Sequence, residues 1–158
     1  MKKITPFLWF DDNAEEAANF YVSIFKNSKI LTPSGDDAEP DPEGSVTMVK
    51  FELEGQQFFA LNGGPAYTFS PAISLFVDCE TQAEVDDYWT RLSAGGEEVR
   101  CGWLRDKFGI SWQIVPSILG ELLQSDDREA AQRVMEEMLT QTKLDIARLK
   151  AAFETPAG

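Results

Sequence analysis

This chain predicts an α+β fold built from two βαβββ modules in tandem. Three observations lead there. An order of strand, helix and three further strands can be read twice along the chain. The helix of each copy opens on a capping box, Asp12-Asn13-Ala14-Glu15 in the first and Thr81-Gln82-Ala83-Glu84 in the second, 69 residues apart. The second copy closes on an aromatic hairpin, CGWLRDKFGISWQIVP (Cys101–Pro116), in which Asp106-Lys107-Phe108-Gly109 supplies a turn residue and a glycine free to take positive φ.

The first copy begins with a strand over Ile4–Phe10, with Pro6 near its start or at an edge because it lacks a ladder donor. Asp12 then caps a helix, with Glu15 reaching back. Its apolar stripe is Ala14, Ala17, Ala18, Tyr21, Val22 and Phe25. Lys26-Asn27 ends it, and Ser28–Leu31 reads as a short strand. Thr32–Gly44 carries three prolines, two glycines and five acids. It is too polar to pack, and reads as a solvated excursion or as a lid over a site. Val46–Leu53 and Gln57–Leu61 form a hairpin that Asn62-Gly63-Gly64-Pro65 breaks off.

In the second copy Pro71–Cys79 is a strand whose apolar content suits a buried position. Thr81 caps a helix whose stripe is Val85, Tyr88, Trp89 and Leu92, stopped by Gly95-Gly96; Glu97–Arg100 is a short strand, and the hairpin follows. The domain is thus expected over residues 1–116, with modules at 1–65 and 66–116. A helical extension follows over 117–158. There Ser125 or Asp126 caps a stripe of Ala130, Ala131, Val134, Met135, Met138 and Leu139, and Leu144, Ile146, Leu149 and Phe153 continue as a further helix. Segments this short do not hold a helix alone in water, so they cover either the domain or a second subunit.

At 43% apolar and 26% charged residues the composition is that of a soluble globular domain. A net charge of −13 argues against nucleic acid and anionic membrane as partners. No apolar run reaches the roughly 20 residues that span a bilayer, and the apolar run near the start is too short for a secretory signal. The expected compartment is therefore the cytoplasm, with Cys79 and Cys101 as reduced thiols. The chain contains no histidine, which removes the commonest general base and the commonest transition-metal ligand.

With FxDDNAEEAxxFY in its first half and DKFGxSWQIVP at its end, the tandem resembles the vicinal oxygen chelate (glyoxalase/bleomycin resistance/dioxygenase) superfamily. Within it the chain is similar to the PhnB-like branch, labelled 3-demethylubiquinone-9 3-methyltransferase-like. That resemblance implies two modules curling their strands into a cleft-shaped mixed sheet, usually within a homodimer. Metal-dependent members place His or Glu at four strand positions, which carry over to Thr5 or Pro6, to Asn62, to Ala72 and to Gln113. Proline and alanine side chains cannot coordinate, and amides bind divalent metals weakly. The expectation is no metal and no cofactor. The label's methyl transfer finds no glycine-rich strand-to-helix turn of the kind a Rossmann unit uses.

The expected ligand-binding cleft is lined by Gln113, Asn62, Trp103, Tyr67, Ala72 and Cys101. For the amides the bland alternative is a bond to neighbouring backbone. For Cys101 it is a small buried thiol with no histidine to activate it. By strand parity with Gln113, Trp112 belongs to the core. Asp106 reads as a turn former, Asp78 and Glu80 as helix caps, Tyr21 as core, and Glu52 and Glu54 as solvent-facing. No catalytic residue is assigned. Two function classes compete: a module that binds a small organic molecule, and an enzyme of lyase, isomerase or methyltransferase type. A degenerate module kept for dimerisation is the third. An enclosed carboxylate with a perturbed pKa favours the enzyme, whereas a surface of rings and amides favours binding.

Overall fold

A computed structural model describes residues 3–31 and 48–155. The Thr32–Gly44 segment and the first two residues of the Val46–Leu53 strand lie outside them. The chain divides into two compact units, Met1–Phe69 and Ser70–Gly158.

The first unit runs β1 (Phe7–Phe10), α1 (Ala14–Ile24), β2 (Ser28–Ile30), β3 (Met48–Leu53) and β4 (Gln56–Asn62). Its sheet has the order β1-β4-β3-β2, with β1 parallel to β4 and the other pairs antiparallel. Period-2 alternation sends Val49, Phe51, Leu53, Phe58 and Ala60 into the core, where Ala14, Ala17, Ala18, Tyr21 and Ile24 of α1 are also buried. Tyr21 and Phe51 stack at 6.2 Å between ring centroids, and Phe51 and Phe58 at 5.2 Å. The three alanines leave room for these rings against the helix. The β3–β4 turn is two residues, Glu54 at φ 48° and Gly55 at φ 83°, the left-handed pair that suits the twist of a tight hairpin.

β1 is shorter than expected, because the chain before Phe7 adds no strand: the Pro6 carbonyl accepts from Phe59 N–H at 3.0 Å, but Pro6 has no N–H to return. The first capping box does not form. Asn13 is the N-cap residue and its side chain makes no capping bond. The first free amide of the helix, Ala14 N–H, instead donates to Asn62 Oδ1 at 2.8 Å.

The second unit repeats the plan with β5 (Ser74–Cys79), α2 (Gln82–Ser93), β6 (Glu97–Glu98), β7 (Trp103–Arg105) and β8 (Ser111–Pro116). Its sheet order, β5-β8-β7-β6, with β5 parallel to β8, matches the first element for element. Here the Thr81 cap forms: Thr81 Oγ1 accepts from Glu84 N–H at 3.1 Å, while Glu84 Oε1 reaches back one residue beyond the cap and accepts from Glu80 N–H at 3.2 Å. Val85, Trp89 and Leu92 of α2 are buried, as are Leu104, Trp112 and Ile114 of the sheet.

Two strand expectations change. β5 starts at Ser74 rather than Pro71, because Ser70 turns the chain: its hydroxyl and carbonyl accept from Ala72 and Ile73 N–H. Nor is β5 buried throughout. Ser74, Phe76 and Asp78 alternate onto an open face, and Phe76 is 60% exposed. The expected Cys101–Arg105 strand starts only at Trp103, since Cys101 (φ 60°) and Gly102 (φ 82°) are left-handed. A methyl group on Gly102 would stand 2.9 Å from both the Ile114 carbonyl oxygen and Leu144, so this close approach requires glycine.

Three helices follow: α3 (Ser117–Leu123), which the sequence reading did not anticipate, α4 (Arg128–Thr140), and α5 (Ile146–Glu154). The cap of α4 is Asp127, not Ser125 or Asp126; its carboxylate accepts from Ala130 N–H. Val115 of β8 clusters with Leu119, Val134, Leu144 and Leu149, so these helices pack on the second unit of their own chain. Gln141 and Thr142 carbonyls accept from Cys101 and Gly102 N–H. The Gln82 side chain donates to the Leu144 carbonyl and accepts from Ile146 N–H. Among the described residues no helix is long and apolar enough to cross a membrane.

Candidate functional site

The hairpin between β7 and β8 is held by a buried carboxylate. Asp106, 3% exposed, accepts at Oδ1 from Phe108 N–H (2.9 Å) and Ile110 N–H (3.1 Å), and at Oδ2 from Trp112 Nε1 (2.8 Å). Gly109 takes φ 97° in the same turn. Asp106 is thus the turn former the sequence reading expected, and Trp112 is core, at 2% exposure.

With Trp112 and Ile114 pointing toward α2, Gln113 points the other way. Its register partners are Trp103 on β7 and Phe76 on β5. The row Trp103–Gln113–Phe76 therefore crosses three adjacent strands on one face. Gln113 Nε2 donates to Ser74 Oγ at 2.9 Å, which fixes the amide. The next row, Glu97–Arg105–Ser111–Ser74, carries an ion pair between Arg105 and Glu97. Toward the other end of β5, the Asp78 carboxylate accepts from Ser117 Oγ at 2.8 Å. The face thus offers two rings, one amide, the Ser74 hydroxyl, a self-neutralised cation and one carboxylate.

The remaining expected cleft residues each have a local setting of their own. Asn62 shares parity with Phe58 and Ala60 and turns its carbonyl to the start of α1, a capping role. Asn62→Ala is expected to lower stability by about 1 kcal/mol, with Asn62→Asp, which keeps the acceptor, retaining most of it; urea midpoints of the two variants test this. Ala72 is exposed and precedes β5. Tyr67 is 68% exposed and meets Trp9 edge-on at 5.1 Å. Trp9 Nε1 donates to the Gly64 carbonyl, and a methyl group on Gly63 would stand 2.3 Å from its ring, so Asn62-Gly63-Gly64 serves as a seat for Trp9. Cys101 is half-buried in its left-handed turn. Burial first, then the nearby Glu84 and Asp78 carboxylates, pushes the Cys79 thiol up to about 12. It therefore stays protonated and unreactive at neutral pH.

Sequence reasoning missed Phe76 and Ser74. Their signal was the alternation Ser74, Phe76, Asp78 against Leu75, Val77, Cys79, which was masked by the apolar content of the run.

The metal carry-over does not fit these side chains. The Asn62 carbonyl is committed to a helix, Ala72 has no donor, and Gln113 is a neutral amide tied to Ser74. Among the described residues no group of three or more His, Cys, Asp or Glu is placed to hold a metal. Neither strand-to-helix turn, Asp11-Asp12-Asn13 or Glu80-Thr81, contains glycine. A cavity of about 430 Å³ lies elsewhere, lined by Glu80, Thr81, Gln82, Asp145, Ile146, Ala147 and Lys150. Its helix-end donors are satisfied internally: Asp145 accepts from Arg148 N–H, Thr81 from Glu84 N–H, and Gln82 from Ile146 N–H.

The family model for 3-demethylubiquinone-9 3-methyltransferase matches residues 2–115. The chain belongs to this family. A PhnB protein from Bacillus cereus is 39% identical, with a TM-score of 0.63 over 73% of this chain and 99% of that one. Protein PA1353 from Pseudomonas aeruginosa (21% identity, TM-score 0.58, 73% and 98% coverage) shares the fold. So does the fosfomycin resistance protein FosX from Listeria monocytogenes, solved with Mn(II) and sulfate (22% identity, TM-score 0.51, 71% and 90% coverage). No curated protein matches the chain. The glyoxalase-like fold expected from the motifs is the fold observed, and the family match ends as β8 ends.

Proposed function

We propose that this PhnB-family protein binds a small organic molecule on the open face of its second sheet, without a metal. The observation that carries the reading is the row Trp103–Gln113–Phe76: a fixed amide between two side chains with aromatic faces, one of them 60% exposed. Apolar walls with a few placed polar groups are what a small-molecule site needs. The competing enzyme reading requires an available acid or base. Asp106, the carboxylate buried among the described residues, has both oxygens engaged by N–H donors, and this favours binding. A homodimer in the cytoplasm is part of the proposal. Exposed Phe7 and Met48 in the first unit and Leu139 on α4 support association with a second copy.

Native mass spectrometry of protein purified from its own host tests these points together. The expected spectrum shows two chains, no stoichiometric Zn, Mn, Ni or Fe, and a retained organic mass lost in Trp103→Ala and Gln113→Ala. A stoichiometric metal, or a retained mass that both variants keep, overturns the corresponding part.

A further inference from the structure

We infer that the ligand is a planar aromatic cation with an N–H donor on its edge. This rests on the site proposed above and follows from three features of it.

The first is width. Trp103 and Phe76 stand on strands either side of Gln113. Two strand spacings put their stems roughly 9.5 Å apart, and side chains rise roughly perpendicular to a sheet. An aromatic plane contacted on both faces at about 3.5–4.0 Å needs roughly 7–8 Å. One ring system fits between them and two do not.

The second is the floor. Gln113 gives its Nε2 to Ser74 Oγ. Among the described residues no donor reaches Gln113 Oε1, so the floor presents an acceptor and calls for an N–H from above.

The third is charge. The cation on this face, Arg105, is paired with Glu97, and Asp78 adds a carboxylate. An anion gains little from a cation that is already paired, in a chain whose net charge is −13. A cation gains the faces of Trp103 and Phe76.

A matched series separates these claims: 4-aminoquinolinium, neutral quinoline and quinoline-4-carboxylate, titrated calorimetrically against the full chain at pH 7. The Phe76→Ala and Gln113→Met variants are carried in parallel, with circular dichroism to confirm their fold. Phe76 is mostly solvent-exposed, so its removal leaves the core intact. The expected order is aminoquinolinium tightest, by about tenfold or more over the carboxylate. Phe76→Ala should weaken all members that bind, and Gln113→Met should weaken the amino compound selectively. If the carboxylate binds as well as the cation and Phe76→Ala weakens both, the site stands and the cation inference falls. If no member binds, or binding ignores Phe76→Ala in a folded variant, the site reading falls and takes this inference with it.

Discussion

Asp106→Ala is expected to lower the unfolding free energy by about 3–4 kcal/mol, the largest effect of any single substitution in the hairpin. The carboxylate is 3% exposed and takes two backbone N–H donors and the Trp112 indole. Bonds to an ionised acceptor are shorter and stronger than neutral ones, and removing the acceptor leaves buried donors unsatisfied, which costs more than the bonds themselves contributed. Asp106→Asn keeps the volume but turns an NH₂ group toward one of the donors, so an intermediate loss of about 2 kcal/mol is expected. Trp112→Phe removes one donor and keeps a ring, for about 1 kcal/mol. Urea midpoints at unchanged slope are the readout. If the alanine variant unfolds within 1 kcal/mol of the parent, the carboxylate is not what holds the hairpin.

This bears on what the DKFGxSWQIVP motif says about function. Asp106, Gly109 and Trp112 are absorbed in building the hairpin, and Ile114 is core. Gln113 turns its side chain to the open face and onto a neighbouring strand, whereas Ser111, at the same parity, is 4% exposed. The motif is therefore strong evidence for the fold and weak evidence for any chemistry. The family's methyltransferase description stands in the same relation to this chain, whose strand-to-helix turns both lack glycine.

The architecture was legible because it rests on local signals repeated twice. The Ala17–Ala18–Tyr21 stripe, the Thr81 cap and the Asp106 turn are each decided within a few residues, and the structure contains all of them. What could not be read depended on partners far away in sequence. Asp12 and Asn62 compete for one helix terminus, and the winner lies 48 residues from Ala14, so the local rule picked the wrong cap. Phe76 was placed in the core because composition outweighed parity in a short run, although Ser74 and Asp78 two positions either side already marked an open face. The segment Ser117–Leu123 carries no side-chain cap, and without that signal its helix went unread.

A chain ended after Leu123 is expected to lose its cooperative unfolding transition and to bind a hydrophobic dye. The B. cereus relative is covered almost entirely by 73% of this chain, and the family model stops at residue 115, so relatives of this fold exist without the extension. This chain differs in how its second unit is closed. Val115 and Leu119 are 8% and 6% exposed within a cluster completed by Val134, Leu144 and Leu149, each fully buried. Removing three such side chains forfeits roughly 5–8 kcal/mol of burial, against a total stability for a domain of about 5–15 kcal/mol. The same cut strips the acceptors from Cys101 and Gly102 N–H and two of the three partners from the Gln82 side chain, leaving it only Asp86. Leu144→Ala, a graded form of the same test, should cost about 2–4 kcal/mol. A truncated chain that melts cooperatively within a few degrees of the parent would show that the second unit closes without α4 and α5. Loss of the transition in the truncated chain, together with a large Leu144→Ala penalty, would make the extension part of the core rather than an appendage. The loss of apolar burial and of helix-to-hairpin hydrogen bonds together favours that second result.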